Sequence, residues 1–170
     1  MEIRFGKRSD IGQVTDIFNY YIEHTNARFE EMPLSYEDRQ AWFSQFAGDS
    51  KYQIFVAVEN GILLGFACSQ PYRATPAFED TVEATIYLAP EARGKGLGSI
   101  LYSMLFEALG NQGVHRVLSG VALPNDASLA LHRCFDFREV GVFQEYAKKN
   151  GQYISSMWLE KALDIEFSST

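Results

Sequence analysis

Apolar and polar residues alternate at the start of the chain, where Ile3 and Phe5 mark a short first strand. The period then lengthens. Ile11, Val14, Ile17, Phe18, Tyr21 and Ile22 recur at helical spacing, behind an Asp10-Ile11-Gly12-Gln13 segment that reads as a variant capping box. Ser35 stands as the cap of a second helix carrying Trp42, Phe43 and Phe46. Two apolar runs, 53–59 and 62–70, flank Asn60-Gly61, a dipeptide that tolerates the positive φ of a tight hairpin turn. Val82, Ala84, Ile86 and Leu88 then alternate with Glu83, Thr85 and Tyr87 in a strand that Pro90 ends. Helical spacing returns over 95–111, with Leu97, Ile100, Leu101, Met104, Leu105 and Ala108 on one stripe. A buried strand over 116–122, a helix over 125–135 and two strands over 138–144 and 153–159, joined near Asn150-Gly151, complete the reading. Residues 164–170 are expected to fray.

The order is β-α-α-β-β-β-α-β-α-β-β. A hairpin combined with helical crossovers predicts an α/β (α+β) fold, a mixed, mostly antiparallel central sheet flanked by helices. The 170 residues suit one domain spanning 1–170, with its core over about 2–161, and 46% hydrophobic content makes it globular rather than disordered. No apolar run approaches the roughly 20 residues of a membrane span. Met1-Glu2-Ile3-Arg4 opens directly on strand-like sequence, with no secretory leader, so a cytoplasmic protein with no membrane partner is expected. Cys68 and Cys134 lack metal-ligand spacing and are expected as reduced, packed thiols, with no metal site. A net charge of −7 argues against nucleic acid as a partner. It does not argue against a polyanionic small molecule, because screening confines a local basic loop's effect to about 10 Å.

Such a loop exists. Arg93-Gly94-Lys95-Gly96-Leu97-Gly98-Ser99 follows the strand and opens an amphipathic helix. Glycines there let backbone N–H groups approach an anion, the helix dipole adds partial positive charge, and Arg93 and Lys95 add full charges. The spacing is neither a Walker A loop nor a complete G-x-G-x-x-G. Composition alone also fits a flexible strand-to-helix turn. In its strand-loop-helix context, Arg93-x-x-Gly96-x-Gly98 resembles the acetyl-CoA pyrophosphate loop of the GNAT superfamily of N-acetyltransferases.

The resemblance extends over about residues 2 to 161 and is closest to the phosphinothricin and methionine sulfoximine acetyltransferases. It is carried by Ile17-Phe18-Asn19-Tyr20-Tyr21-Ile22 with Thr25 and Phe29, and by Thr81-Val82-Glu83-Ala84-Thr85-Ile86-Tyr87-Leu88. Leu123-Pro124-Asn125-Asp126 with His132, and Asn150-Gly151-Gln152-Tyr153, complete it. Three positions depart. Asp136 stands where the group usually has a Gly before Phe137, at a position that calls for positive φ. Ser155 replaces a usual Asp. Glu79 stands where some methionine sulfoximine-acetylating relatives carry Arg, which reverses a charge at the expected substrate mouth.

The resemblance implies acetyl transfer from acetyl-CoA to a small-molecule amine, an amino acid or analogue of the phosphinothricin kind. Glu83, on the strand face turned toward the cleft, is the candidate base, and partial desolvation would raise its pKa toward the working pH. A backbone N–H near Tyr87 would meet the developing oxyanion. The family's pantetheine arm lies along this strand, which makes Ile86, Tyr87 and Leu88 contact candidates. His132 is the candidate group near the sulfur; taken alone it would read as a surface helix residue. Asn125 would bond the pantetheine amide or cap the helix behind it, and Ser128 joins it on the cofactor side. Ser99 would reach a phosphate or face solvent. Arg73 is the candidate for a substrate carboxylate, with Phe29, Tyr72 and Thr85 lining the acceptor pocket. A homodimer is expected, because the family usually dimerises and the chain is 14% aromatic. Two other functions fit the same residues: acetylation of a peptide or protein N-terminus, and a catalytically silent acyl-CoA-binding module.

Overall fold

A computed structural model describes residues 1–163, so the expected fraying of 164–170 lies outside the described residues. The elements are β1 (Glu2–Phe5), α1 (Ile11–His24), α2 (Tyr36–Phe43), β2 (Ile54–Glu59), β3 (Ile62–Pro71), β4 (Thr81–Leu88), α3 (Leu97–Leu109), β5 (Arg116–Ala122), α4 (Asp126–Cys134), β6 (Arg138–Lys149) and β7 (Gln152–Ala162). Their order is the expected one. They form one seven-stranded sheet in the order β1-β2-β3-β4-β5-β7-β6. Every pairing is antiparallel except β4 with β5.

That parallel pairing is short. It joins Thr81, Val82 and Glu83 to Arg116, Val117 and Leu118. Beyond Glu83, β4 keeps β3 on one side, while β5 keeps β7 on its other side as far as Ala122. The sheet therefore opens between β4 and β5 at their C-terminal ends. One face of the sheet packs on α3, which buries Leu97, Leu101, Tyr102, Leu105 and Leu109 against Val82, Ala84 and Val117. On the other face α1 buries Val14, Ile17 and Phe18, and the Phe18 ring meets Phe66 and Tyr87 edge-on at 4.9 and 5.2 Å.

Several local expectations are corrected. Asp10 does not cap α1. It closes the 3-10 turn Arg8–Asp10, where its carboxylate accepts from Arg4 Nη1 and from the Lys7 N–H, both at 2.7 Å. Gln13 instead ties α1 to the Asn60-Gly61 hairpin, donating to the Gly61 carbonyl at 3.1 Å and accepting from the Leu63 N–H at 2.7 Å. Ser35 caps α2 in a reciprocal box with Asp38, but the helix ends at Phe43 and leaves Phe46 beyond it. Cys68 is buried as expected, whereas Cys134 is exposed. α4 buries Leu129 and His132, and Cys134 falls off that stripe. Asp136 adopts φ 59°, the left-handed backbone its position called for.

Candidate active site

The opening between β4 and β5 leads into two cavities. The larger, about 580 Å³, runs from the start of α3 past Ile86, Tyr87 and Leu88 to Leu123, Asn125, Ser128 and Leu131, and Arg93, Gly94, Gly96, Leu97, Gly98 and Ser99 line its far end. The smaller, about 50 Å³, lies deeper, between Ala84–Tyr87 and Ser119–Ala122, with Tyr102 and His132 beneath. The two share Ala27, Ile86, Tyr87, Ala122 and Asn125, which makes one continuous cleft.

The glycine-rich end is bare backbone. Gly94 and Gly96 take φ of 71° and 76°, and no atom lies within 4 Å of where a Cβ would stand on either. In the first turn of α3 the Ser99 and Ile100 N–H groups bond the Gly96 carbonyl at 3.1 and 3.4 Å, which leaves those of Leu97 and Gly98, both lining this cavity, as the free donors. Arg93 lies 5.2 and 5.0 Å from the ring centroids of Tyr20 and Tyr21, which hold its charge at the cleft wall. Lys95 is exposed and lines neither cavity. A polyphosphate fits this end: open backbone donors, a helix start and one arginine converge on it.

The strand β4 supplies both its faces. Glu83, Thr85 and Tyr87 point toward α1, and Val82 and Ala84 toward α3. The Ala89 N–H donates to the Leu64 carbonyl at 2.8 Å, toward β3. Alternation along an antiparallel ladder turns the Tyr87 N–H toward β3 as well. The N–H groups facing the gap are therefore those of Ile86 and Leu88, on either side of Tyr87.

Glu83 is partly buried between Gln70 and Leu118, its neighbours on the flanking strands. Burial raises its pKa above the usual carboxylate range, against a smaller opposing pull from the Arg28 charge. Across the sheet, His132 is 1% exposed, not a surface residue. Its Nδ1 donates to the Ser128 carbonyl at 2.7 Å, which leaves Nε2 to accept from Ser119 Oγ at 2.9 Å or the Tyr102 hydroxyl at 3.0 Å. Burial lowers the His132 pKa and raises that of Tyr102, so both are neutral near pH 7. Tyr102, outside the apolar stripe read on its helix, and Ser119, in a buried strand, had no sequence signal of their own.

Asn125 caps α4, accepting from the Ser128 N–H at 3.2 Å, while also lining both cavities. On the α1 side an aromatic arc borders the sheet. It runs from Phe29 through Tyr146, Phe143, Trp158 and Tyr72 to Phe78, with successive ring centroids 5.4–6.5 Å apart. Thr85 lines the smaller cavity. Arg73 is exposed, over the rings of Tyr72 and Phe78 at 5.1 and 5.4 Å, and lines neither cavity.

Sequence reading also missed Lys149, which is 2% exposed. Its ammonium donates to the carbonyls of Ile22, Thr25 and Arg28 at 2.6, 2.7 and 2.9 Å. The turn after α1 is thereby pinned where Ala27 borders both cavities.

Comparison with known proteins follows the same lines. The sequence profile of a family described as "Acetyltransferase (GNAT) family" matches residues 16–137. A phosphinothricin N-acetyltransferase of Streptomyces coelicolor is 41% identical over 165 residues, 96% of each chain. An L-amino acid N-acyltransferase of Escherichia coli is 31% identical over 96% of this chain and 95% of its own. Among solved structures, a phosphinothricin acetyltransferase from Sinorhizobium meliloti in complex with AcCoA superposes with a TM-score of 0.91 at 28% identity, covering 99% of this chain and 91% of that one.

Proposed function

The chain belongs to the GNAT family of acetyltransferases, and on that premise we propose that this enzyme moves an acetyl group from acetyl-CoA to the amine of a small amino acid or amino-acid analogue of the phosphinothricin kind. The observation that carries this reading is the continuous cleft, which joins an anion-binding helix start to Thr85 and Tyr87, the residues that share a face of β4 with Glu83; Glu83 itself lines neither cavity.

Acetyl-CoA supplies the activated acyl group and a thiolate leaving group. The Arg93–Ser99 segment holds its phosphates, and Asn125 with Ser128 borders the arm on the α4 side. The Ile86 and Leu88 N–H groups face the place where the carbonyl oxygen gains charge. Glu83 takes the ammonium proton of the acceptor, directly or through a water. The C–N bond then forms as the C–S bond breaks. With Ser119 donating to His132 Nε2, the Tyr102 hydroxyl, kept protonated by its burial, is free to donate a hydrogen bond to the departing sulfur, which leaves as the thiolate. Phe29, Tyr72 and Thr85 wall the acceptor. The reaction would take place in the cytoplasm, within one domain.

Thiol release from acetyl-CoA, measured against a panel of amino acids, phosphinothricin and methionine sulfoximine, tests this. Release with at least one α-amino acceptor is expected. Tight acetyl-CoA binding without release for any of them would overturn it.

We also propose a homodimer. β6 is the outer strand of the sheet, and Val140, Phe143, Tyr146 and Tyr153 on its hairpin with β7 are 58%, 56%, 48% and 64% exposed. Apolar surface of this kind on an unpaired edge favours a second copy. Sedimentation at micromolar concentration is expected to give the mass of two chains, and a monomer would refute the proposal.

A further inference from the structure

The acceptor side of β4 holds two arginines that the chemistry above leaves unused. Arg28 follows α1, and its guanidinium carbon lies 4.5 Å from the Phe18 ring centroid and 5.9 Å from that of Tyr87. Arg39, on α2, lies 5.6 Å from the same Phe18 ring and 5.1 Å from Trp42. Two guanidiniums thus share one aromatic ring. Glu30 answers one of them, accepting from Arg28 Nε at 3.1 Å and from Nη2. Among the described residues, Arg39 Nε is buried without any hydrogen-bond partner. Glu83 is near enough for the Arg28 charge to oppose the effect of burial on its carboxyl. Asp38 beside Arg39 is exposed and occupied at the Ser35 cap. Arg39 is thus left with an unpartnered donor in a half-buried place, where an unmatched polar group on a cation is costly.

Arg28 is also held in place from two directions. Its own carbonyl accepts from Lys149 at 2.9 Å, and the carbonyl of Ala27 before it accepts from the Tyr87 hydroxyl at 3.3 Å. The Asn150 N–H fixes Glu31 at 2.7 Å. The segment is tied both to β4 and to the turn between β6 and β7. A cation fixed in advance loses little entropy on meeting an anion.

We propose that Arg28, backed by Arg39, is the subsite that binds the acceptor's carboxylate and sets a preference for amines that carry one. The proposal rests on the amino-acid acetylation inferred above. The amine and carboxylate of an α-amino acid hang from one carbon, so a base and a cation that serve both must be close neighbours. Arg28 and Glu83 are close enough for the arginine's charge to act on the Glu83 carboxyl. Arg28 also keeps donors beyond the Nε and Nη2 groups that hold Glu30, since a guanidinium has five.

The test compares an amino acid with its own carboxamide at saturating acetyl-CoA. For the wild type, kcat/KM is expected to favour the acid. Arg28→Met should lower kcat/KM for the acid about 10- to 100-fold, the scale of one charge-assisted hydrogen-bond pair, and change the amide less than about threefold. Arg28→Lys should recover part of the preference, keeping the charge but not the fork. Equal losses on acid and amide in both variants would make Arg28 structural and overturn the proposal. So would a preference that survives Arg28→Met but disappears in Arg73→Met. A wild type that acetylates no amino acid would bring down the acetylation reading itself, and this proposal with it.

Discussion

Glu83→Gln is expected to lower kcat about 10²- to 10⁴-fold while leaving acetyl-CoA affinity unchanged, the usual cost of removing a general base. Glutamine has the same shape and accepts no proton. The native side chain is suited to the task because burial raises its pKa, which makes it a stronger base than a solvated carboxylate. The sign of the pH effect follows. Glu83 works only when ionised, so wild-type kcat/KM should fall as pH drops through its raised pKa. That fall should begin at a higher pH than for an ordinary carboxylate, and the glutamine variant should lack this limb. The defect should also shrink at high pH, where more of the acceptor arrives already deprotonated. For an amine with a pKa of roughly 9 to 10, given ordinary ammonium acidities, recovery should show above about pH 8. Steady-state rates across pH check both trends. A loss confined to acceptor KM and flat with pH would move Glu83 from catalysis to binding.

The face that bears Glu83 was legible because β4 is a clean strand. Its side chains alternate without a bulge, so the face of each residue can be read from its number. The same regularity located the gap-facing N–H groups only to within one residue, because the direction of a ladder bond depends on the partner strand. The glycine loop was legible for a related reason, since positive φ at Gly94 and Gly96 leaves few alternatives to glycine. Strand β6 was read short, at 138–144, and runs to Lys149. Its register with β7 shifts between Phe143 and Ala147, where Glu145 takes φ 50° and its N–H bonds Ser155 Oγ at 2.9 Å. A bulge of this kind breaks the alternation that marks a strand.

The groups around His132 were less legible. His132 was singled out by resemblance, but its partners come from α3 and β5 and meet only in the folded chain. Lys149 shows the same limit. It sits beside Lys148 just before a turn, and nothing local tells which lysine is buried; its three acceptors lie at the far end of the sequence. Arg28 was hidden because its charge reads as solvent-facing until Phe18, Arg39 and Glu30 are brought around it.

Replacing Gly96 and Gly98 together with valine is expected to abolish acetyl-CoA binding. The two glycines act for different reasons. Gly96 holds φ 76°, where a β-branched residue is strained, and the open space beside it offers nothing to compensate. Gly98 is buried, and a Cβ there would meet Leu131 Cδ2 at 3.1 Å and Ile86 Cδ1 at 3.6 Å. Valine would push those side chains and tilt the first turn of α3, which moves its free N–H groups away from the phosphates. Losing two charge-assisted hydrogen bonds implies an affinity drop of about 10²- to 10⁴-fold. The rest of α3 should stay folded, because Leu101, Tyr102, Leu105 and Leu109 remain packed against the sheet. Wild-type affinity should weaken as salt rises, since Arg93 is exposed at the cleft wall and its attraction to phosphate is screened. Calorimetric titration with acetyl-CoA at two ionic strengths, alongside circular dichroism of the double variant, checks both expectations. A folded variant with unchanged affinity would remove the phosphate loop from the site. Affinity lost in the variant but indifferent to salt in the wild type would assign the binding to the backbone N–H groups and leave Arg93 without a part in it.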